Sequence, residues 1–322
     1  MLDIGIIGLG NVGLSVHLPI LLSRSDLNIV WVCDQNDKWN NLCSKKKVPF
    51  FVNLDNALEY KIPELALIST PYSSRKEIFQ KIENKVSGIY FEKPFAINLD
   101  EHFYYSKNFA NSDLTIGYQR RSLGIVQSAR KIISQNIFGQ LNKISIEFGD
   151  LHYNFGGFRA DQKKAGGGIF LEAGSHWLDS ALYVSNAKKI DNFENKVKYN
   201  DGLDIHSEGS FDIYNSTNKL TTCNFKFTCL ENTANKIRFF FDNCTMDLFL
   251  FEDNSELIIN ADKEDQFDIT DFSMKNFPNS SLSQGVAYWN EFINSYLNKK
   301  NSYTSINEFL LTTQIIELFY AK

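Results

Sequence analysis

Residues 4–13 read IGIIGLGNVG, and this stretch decides how the first part of the chain folds. The apolar run at 4–7 predicts a short buried strand, and residues 8–13 then follow the spacing G-x-G-x-x-G. Residues 14–22 carry helix-compatible side chains. A strand, a glycine-rich turn and a helix in this order are the context in which this pattern binds a dinucleotide.

Each glycine of the pattern has a separate task. Gly8 allows the tight turn, Gly10 leaves room for a pyrophosphate to approach the backbone, and Gly13 lets the helix pack close to the strand. The helix N-terminus offers free N–H groups and a partial positive charge to the phosphates. We therefore expect these glycines, with Asn11 and Val12, to bind the cofactor; the alternative is a glycine-rich turn that binds nothing.

The cofactor is expected to be NAD rather than NADP. Residues 28–33 read NIVWVC, a second apolar strand that ends at Asp34, and an acid about 20 residues beyond the glycines is placed to bind both ribose hydroxyls. A 2′-phosphate would meet the charge of this carboxylate, and no arginine follows at 35–37. Lys38 and the lysines at 45–47 keep NADP open as an alternative.

The bulk composition narrows the class of protein and its partners. A chain of 322 residues is long enough for two domains, and 43% hydrophobic with 22% charged residues is ordinary for a globular protein. A net charge of −5 without a strong basic patch argues against nucleic acid as a partner. No basic leader and no apolar run of transmembrane length is visible, so we expect no membrane association and a cytoplasmic protein.

The cysteine and histidine pattern predicts no metal site. The five cysteines form no C-x-x-C pair, and their spacing to the histidines matches no set of metal ligands. We expect free, mostly buried thiols in a reducing compartment.

Residues 1–118 alternate strand-like and helix-like segments, which predicts a Rossmann domain, a doubly wound α/β fold around a parallel sheet. Ligands of such sheets bind beyond the carboxyl ends of the strands. Thr70-Pro71 and Glu92-Lys93 each follow an apolar run, so we expect all four residues to contact the cofactor. Beyond 28–33, the predicted strands are 48–51, 65–70, 88–91 and 114–118, and the predicted helices are 38–46, 53–58, 73–85 and 99–110.

Residues 119–322 predict an α+β domain with a large, mostly antiparallel sheet that is open on one face. Aromatic and β-branched residues alternate with polar ones in this part of the chain, which is typical of strands with one covered face. The predicted strands are 141–154, 196–214, 219–230, 235–241, 244–251 and 255–260, and the predicted helices are 122–136, 169–184, 283–297 and 305–321.

Three chemically active side chains follow the glycines at 166–168 on one predicted helix. Glu172, His176 and Asp179 are spaced i, i+4 and i+7, so they are expected on one helical face. Oxidation of an alcohol needs a base within hydrogen-bond reach of the hydroxyl, and an imidazole titrates in the right range. The alternatives are a histidine whose hydrogen bonds are made within the fold, and two acids that only stabilise the helix N-terminus through its dipole.

Several motifs together resemble those of one known family. They are GLGNVG at 8–13, Asp34, Thr70-Pro71, Glu92-Lys93-Pro94, and the glycines at 166–168 leading to Glu172, His176 and Asp179. In order and spacing, the chain resembles the glucose–fructose oxidoreductase/inositol dehydrogenase (Gfo/Idh/MocA) family of two-domain dehydrogenases. The resemblance implies an NAD(P)-dependent enzyme whose second-domain sheet pairs with another subunit, giving a homodimer or homotetramer.

By the same resemblance, Lys93 is the family's catalytic lysine and His176 its site histidine. Lys93 can hydrogen-bond the reacting oxygen and stabilise an alkoxide; the alternative is a solvated lysine before a proline turn. Glu172 is expected to assist Lys93 and His176 in handling the proton. It stands where the family usually has Asp. Arg75 stands where the family often has His, and it either changes contacts near the nicotinamide or faces solvent.

Further substrate-binding candidates are Tyr118, Arg121, Tyr153, Arg159 and Asp179. For Arg121, an ion pair within the protein is an equal alternative. His17, near the glycine turn, is expected on a helix surface; the alternative is contact with a ligand.

The expected activity is hydride transfer between NAD(P) and a hydroxyl or ketone carbon of a sugar, cyclitol or nucleotide-linked sugar. Lys93 and His176 would handle the proton. The alternatives are NAD-dependent glycoside hydrolysis by transient oxidation and a non-catalytic dinucleotide-binding regulator. The sequence does not identify the sugar, the carbon or the direction of reaction.

Overall fold

The computed structural model describes residues 1–250, 255–261 and 281–321. Contacts within the chain divide it into two compact units. The first unit consists of Met1–Ala96, Asp100–Gly117 and Gly285–Glu308, and the second consists of Ile97–Leu99, Tyr118–Gln284 and Phe309–Lys322.

A six-stranded parallel sheet forms the centre of the first unit. Its strands are β1 (Leu2–Ile7), β2 (Leu27–Cys33), β3 (Phe50–Phe51), β4 (Leu65–Ile68), β5 (Gly88–Phe91) and β6 (Leu114–Ile116). They lie in the order β3-β2-β1-β4-β5-β6, and every neighbouring pair is parallel. This is the strand order of a doubly wound dinucleotide-binding fold, so the predicted Rossmann sheet is confirmed.

The predicted helices are present, but most are shorter than expected. The segment expected as helix 14–22 begins with a π-helical turn, Gly13–His17. The α-helices of the described residues are α1 (Leu18–Ser23), α2 (Asn40–Lys45), α3 (Leu54–Tyr60), α4 (Arg75–Ile82), α5 (Leu99–Ser106), α6 (Gly124–Ser134), α7 (Gln162–Ala165), α8 (Ser175–Val184), α9 (Ser281–Asn298) and α10 (Leu310–Tyr320).

A seven-stranded mixed sheet forms the second unit. Its strands are β7 (Leu141–Gly149), β8 (Lys189–Asn200), β9 (Leu203–Tyr214), β10 (Leu220–Thr228), β11 (Lys236–Phe241), β12 (Cys244–Phe249) and β13 (Glu256–Ala261). The strand order is β13-β12-β11-β7-β10-β9-β8, and only β7 and β10 pair in parallel. The expected mostly antiparallel sheet is therefore confirmed.

One side of this sheet is covered and the other carries polar side chains. On β10, Phe225 and Phe227 are buried, and the rings of both lie 5.6 Å from that of Phe170. Phe170 in turn stacks on Phe319 of α10 with ring centroids 3.7 Å apart. The buried aromatic residues thus attach α10 and the turn before α8 to the covered face.

The strand prediction for 196–214 was wrong in its connectivity. Strand β8 already begins at Lys189, and it is joined to β9 by a turn at Asp201 and Gly202. Both turn residues have positive φ, 49° and 81°, which is the backbone that an Asp-Gly hairpin turn requires. The segment is therefore a hairpin of two long strands.

Two other predicted strands extended beyond the ends of the observed strands. The expected strand 141–154 ends at Gly149, after which Asp150 accepts a hydrogen bond from the backbone N–H of His152 and turns the chain. The expected strand 244–251 ends at Phe249, and its last residue lies outside the described residues.

The returning segment Gly285–Glu308 packs on β5 and β6 of the first unit through aromatic side chains. Trp289 stacks on Tyr90 of β5 with ring centroids 4.4 Å apart, and the Tyr288 hydroxyl donates to the carbonyl of Ile116. These contacts explain why a late helix joins the unit formed by the start of the chain.

All five cysteines are free, and four of them are buried, as expected. In the part of the chain that the structure describes, every helix is too short or too polar to span a lipid bilayer.

We predict that Gly202→Ala lowers the free energy of unfolding by about 1–2 kcal/mol, because an L-residue at positive φ pays that cost. A Cβ at position 202 would approach only the Gln162 side chain, at 3.7 Å, so crowding adds little. The shift is measured by thermal or urea unfolding.

Gly156→Ala is the matched control. Its φ is −49° and its new Cβ would come no closer than 3.5 Å to Asn154, so a small shift is expected. Equal shifts in both variants would show that the positive φ of residue 202 adds no cost to an alanine at that position.

Candidate functional site

The glycine turn between β1 and α1 has the asymmetry that a dinucleotide site needs. A Cβ on Gly8, whose φ is +91°, would lie 2.6 Å from the carbonyl oxygen of Ser69. A Cβ on Gly13 would lie 2.8 Å from the carbonyl oxygen of Gly8. A Cβ on Gly10 would meet nothing within 4 Å. Gly8 and Gly13 thus serve the packing of the chain itself, and Gly10 leaves an open cradle that fits a pyrophosphate.

Asp34 lies beside this turn at the end of β2. Its Oδ2 accepts the backbone N–H of Leu9 at 2.6 Å, and its Oδ1 accepts that of Asn36 at 2.8 Å. These bonds hold the carboxylate against the glycine turn. Each carboxylate oxygen has a further lone pair, so the group can still accept bonds from ribose hydroxyls. The structure therefore brings together the glycines and the acid that the sequence paired.

Thr70 follows β4 at the same edge of the sheet. The Ser69 N–H is bonded to the carbonyl of Ile7, which places Thr70 next to the strand that leads into the glycine turn. The Thr70 hydroxyl oxygen is buried without a hydrogen-bond partner among the described residues. A buried hydroxyl of this kind is suited to bind a polar group of a ligand.

Glu92 follows β5 and is buried by its own partners. Its Oε1 lies 2.8 Å from Nε2 of His17, and its Oε2 accepts the backbone N–H of Lys93 at 3.2 Å. A Cβ on Gly117 would approach the Glu92 carboxylate to 2.6 Å, so the carboxylate also packs against the end of β6. Through its side chain, Glu92 therefore fixes the backbone of Lys93.

His17 connects this acid to the returning helix α9. The indole N–H of Trp289 donates to Nδ1 of His17 at 3.0 Å. Because an indole can only donate, Nδ1 must accept, and the ring proton is on Nε2, which donates to Glu92. His17 is fully buried, so the expectation that it lies on a helix surface was wrong.

Arg75 is also buried, which rules out the solvent-facing alternative. Its guanidinium donates to backbone carbonyls that include those of Thr70 and Lys93. Burial lowers the pKa of Arg75 to about 10, so the group stays charged at neutral pH.

In the second unit, Glu172 and His176 lie where the chain enters α8. Residues Phe170–Gly174 form a π-helical turn, and α8 begins at Ser175, so the regular helix expected over 169–184 was wrong at its start. The glycines before it are needed for packing, because a Cβ on Gly168 would lie 2.1 Å from the carbonyl of Asp204.

Sequence reasoning missed Asp204, which holds the backbone just before α8. Its carboxylate accepts the N–H groups of Gly168 at 2.6 Å and Phe170 at 2.7 Å, and the Tyr320 hydroxyl at 2.8 Å. Burial nonetheless raises the pKa of Asp204 above its ordinary value. No signal in the sequence marks Asp204, because its partners are far away along the chain.

Several predicted substrate residues surround Glu172 and His176. The Arg159 guanidinium lies 3.3 Å from Oε1 of Glu172, and both side chains are partly exposed. The Tyr118 ring lies edge-on to the imidazole of His176, with ring centroids 5.5 Å apart. Burial, with the charge of Glu172, raises the pKa of Tyr153, whose phenol therefore stays neutral.

Arg121 and Asp179 bind each other in the interior. Two hydrogen bonds of 2.8 and 2.7 Å join them, and both side chains are 1% exposed. Thr312 also donates to Asp179, and the Arg121 guanidinium lies 4.0 Å from the ring centroid of Phe309. Asp179 is thus buried, whereas Glu172 and His176 are partly exposed. The structure shows the ion pair that was the alternative for Arg121.

Among residues 1–250, 255–261 and 281–321, no cluster of three or more His, Cys, Asp or Glu side chains could hold a metal ion.

Comparison with protein families gives two matches along the chain. Residues 2–117 match the model GFO_IDH_MocA, described as an oxidoreductase family with an NAD-binding Rossmann fold. Residues 126–229 match the GFO/IDH/MocA C-terminal domain.

Among curated proteins, the chain is similar to Oxidoreductase P35 of Formosa agariphila, with 24% identity over 211 residues. This alignment covers 61% of the chain and 66% of the relative, which is just under two thirds of its length.

Solved structures with the same fold align over nearly the whole chain. Aldose-aldose oxidoreductase from Caulobacter crescentus, complexed with glycerol, has a TM-score of 0.79 at 14% identity and covers 99% of this chain and 96% of its own. The WlbA dehydrogenase from Bordetella pertussis, in complex with NADH and UDP-GlcNAcA, has a TM-score of 0.78 at 15% identity and covers 99% and 94%. A mutant of KijD10, a 3-ketoreductase from Actinomadura kijaniata, in complex with TDP-benzene and NADP, has a TM-score of 0.77 at 11% identity and covers 98% and 96%.

We predict that Trp289→Phe destabilises the protein by about 1–3 kcal/mol, because it leaves the buried Nδ1 of His17 without its donor. An aromatic ring is retained beside Tyr90, but the smaller ring also leaves a cavity, so the loss combines the missing hydrogen bond with a packing cost. Thermal or urea unfolding measures the change.

Trp39→Phe is the control, since Trp39 lies in a short helical turn near the surface, with the Lys38 ammonium over its ring. A destabilisation no larger than that of the control would contradict the assigned role of the indole N–H.

Proposed function

The chain belongs to the Gfo/Idh/MocA family of oxidoreductases, and we propose that it moves a hydride between NAD(P) and a hydroxyl or ketone carbon of a sugar, cyclitol or nucleotide-linked sugar. The observation that carries this proposal is the glycine turn, where Gly10 is open and Asp34 is held alongside. The WlbA dehydrogenase, a structural neighbour solved with the nucleotide-linked sugar UDP-GlcNAcA, supports the substrate class.

We propose that residues 1–118 bind the dinucleotide and that residues 119–322 bind the substrate and form the oligomer. The cofactor contacts come from Gly8, Gly10, Asn11, Val12 and Gly13. Asp34, Thr70, Pro71, Glu92 and Lys93 complete the set.

We propose NAD as the cofactor. The Asp34 carboxylate is held by two backbone N–H groups, and it would repel a 2′-phosphate at the ribose. Structural neighbours have been solved with NADH and with NADP, so the preference depends on this chain's own side chains.

In the proposed mechanism, the bound nicotinamide supplies or accepts the hydride. His176 takes the hydroxyl proton, or returns it in the reverse direction, and the edge-on ring of Tyr118 restricts its orientation. Lys93 hydrogen-bonds the reacting oxygen and stabilises its negative charge. Glu172 assists by holding a negative charge near the imidazole, with Arg159 limiting where that carboxylate lies.

The proposed substrate side chains beyond these are Tyr118, Tyr153 and Arg159, whose groups surround Glu172 and His176. Arg121 and Asp179 were also predicted to bind substrate. Because their charged groups are already paired with each other in the interior, we propose that they support the substrate-binding residues as an ion pair. A partly exposed arginine beside the site favours a substrate that carries a hydroxyl-rich or anionic group.

The open face of the second sheet is the proposed subunit interface. Across four strands, Glu147, Lys226, Glu208 and Lys196 are neighbours in register, so their charges alternate. A row of alternating charges can pair with a second copy of itself. We propose a cytoplasmic homodimer or homotetramer, whose size is measured by light scattering after gel filtration.

The direct test is NADH formation or consumption across a panel of sugars, cyclitols and nucleotide-linked sugars. Release of a sugar from a glycoside without net NADH would favour the hydrolytic alternative. Tight NAD binding without turnover on any compound would favour a regulator.

We predict that Lys93→Met and His176→Ala each lower kcat by about 10²–10⁴-fold, because each removes a group that acts on the proton. NAD affinity, measured by fluorescence titration of NADH, is expected to change much less than kcat.

Lys85→Met, which removes an exposed lysine of the same unit, is the control and should keep full activity. Full activity in the Lys93→Met/His176→Ala double variant would remove the mechanism.

We predict that Asp34→Ala weakens NAD binding by about tenfold or more and reduces the preference over NADP, since two hydrogen bonds to ribose are worth more than 1.4 kcal/mol. Dissociation constants for both dinucleotides measure this.

Asp37→Ala, which removes a nearby exposed acid, should leave both constants unchanged. An unchanged NAD-to-NADP ratio in Asp34→Ala would show that Asp34 does not select the cofactor.

A further inference from the structure

Arg75 occupies an unexpected place for a charged side chain. It is the first residue of α4, yet its side chain is 2% exposed. Burial of a charge is costly unless hydrogen bonds compensate for it. The atoms that receive its bonds therefore indicate what the residue does.

The Arg75 guanidinium donates to two separate loops at the carboxyl edge of the sheet. Nε and Nη2 donate to the carbonyl of Thr70, at 3.1 and 2.9 Å, in the loop after β4. Nη2 also donates to the carbonyl of Lys93 at 3.3 Å, and Nη1 donates to those of Glu92 and Pro94, in the loop after β5. One planar cation thus ties both loops together.

Lys93 is held by this arrangement on both sides of its Cα. Its backbone N–H is bonded to Oε2 of Glu92, and its carbonyl accepts from Arg75. The Glu92 carboxylate is itself fixed by His17. With both peptide groups held, the direction in which the Lys93 side chain leaves the backbone is set by buried partners.

We propose that Arg75 is a positioning residue for Lys93: its guanidinium fixes the 92–94 backbone against the Thr70 loop and so sets where the lysine ammonium lies. This inference rests on the proposed function for its catalytic consequence. Its structural part, that Arg75 orders residues 92–94, stands independently.

The size of the effect follows from geometry. A displacement of about 1 Å at a catalytic group can cost about 10²-fold in rate. Loss of Arg75 should therefore lower kcat and change KM values much less, because Lys93 is displaced while Asp34 and the glycine turn keep their own hydrogen bonds.

The test uses Arg75→Met and Arg75→Lys in the full chain. Methionine fills a similar space without donors. Lysine keeps the charge, but one ammonium group lacks the planar fork that spans both loops. Hydrogen exchange of the peptide covering 91–97 and steady-state kinetics are measured on each variant.

We expect exchange in 91–97 to rise about tenfold or more in Arg75→Met, and less in Arg75→Lys, since the carbonyls lose their common donor. We expect kcat to fall about 10–100-fold in Arg75→Met and by a smaller factor in Arg75→Lys, with KM for NAD and for sugar within about threefold of the unsubstituted protein. If Arg75→Met does not fold, Arg75→Lys carries the test.

Arg130→Met is the matched control, because Arg130 also donates to a backbone carbonyl, that of Tyr183, but lies in the second unit. It should leave both exchange in 91–97 and kcat unchanged.

Unchanged exchange in 91–97 in both Arg75 variants would overturn the proposal. Raised exchange with unchanged kcat would overturn the positioning of Lys93. If the unsubstituted protein turns over no sugar, the proposed function fails, and the exchange result still decides whether Arg75 orders residues 92–94.

Discussion

The hydrogen bond between His17 and the Glu92 carboxylate is the constraint on which the first unit depends. It joins the turn after the glycines to the loop after β5, and Trp289 fixes its direction by donating to the other ring nitrogen. The buried Glu92 carboxylate then has one oxygen directed to the Lys93 backbone. Cofactor turn, lysine loop and returning helix are therefore held by one chain of buried polar contacts, which is effective because interior hydrogen bonds are costly to leave unmade.

A buried carboxylate orders the backbone of the second unit in a similar way. Asp204 accepts two backbone N–H groups at the entrance to α8, and so fixes the π-helical turn that contains Glu172. His176 then lies beside the Tyr118 ring. In both units a buried carboxylate orders the backbone that carries a proposed catalytic side chain.

The sequence pattern predicted the features that depend on residues close together along the chain. The glycines at 8–13, Asp34, and Glu92-Lys93 followed apolar runs, so their place at the strand ends could be derived. What the pattern could not supply were partners distant along the chain, such as Trp289 for His17 and Asp204 for Gly168. The π-helical turn at Phe170–Gly174 was missed because a helical pattern does not separate α from π spacing over a single turn. Arg121 and Asp179 illustrate the same limit, because the sequence could not show that these two residues, 58 positions apart, form an ion pair in the interior.

The most direct measurement is deuterium transfer from a sugar labelled at the carbon to be oxidised. We predict that NADH formed with the active sugar carries the deuterium on its nicotinamide ring. NADH formed without the label would contradict direct hydride transfer. Failure of every labelled sugar, cyclitol and nucleotide-linked sugar to yield NADH, while the protein binds NAD, would contradict the proposed activity.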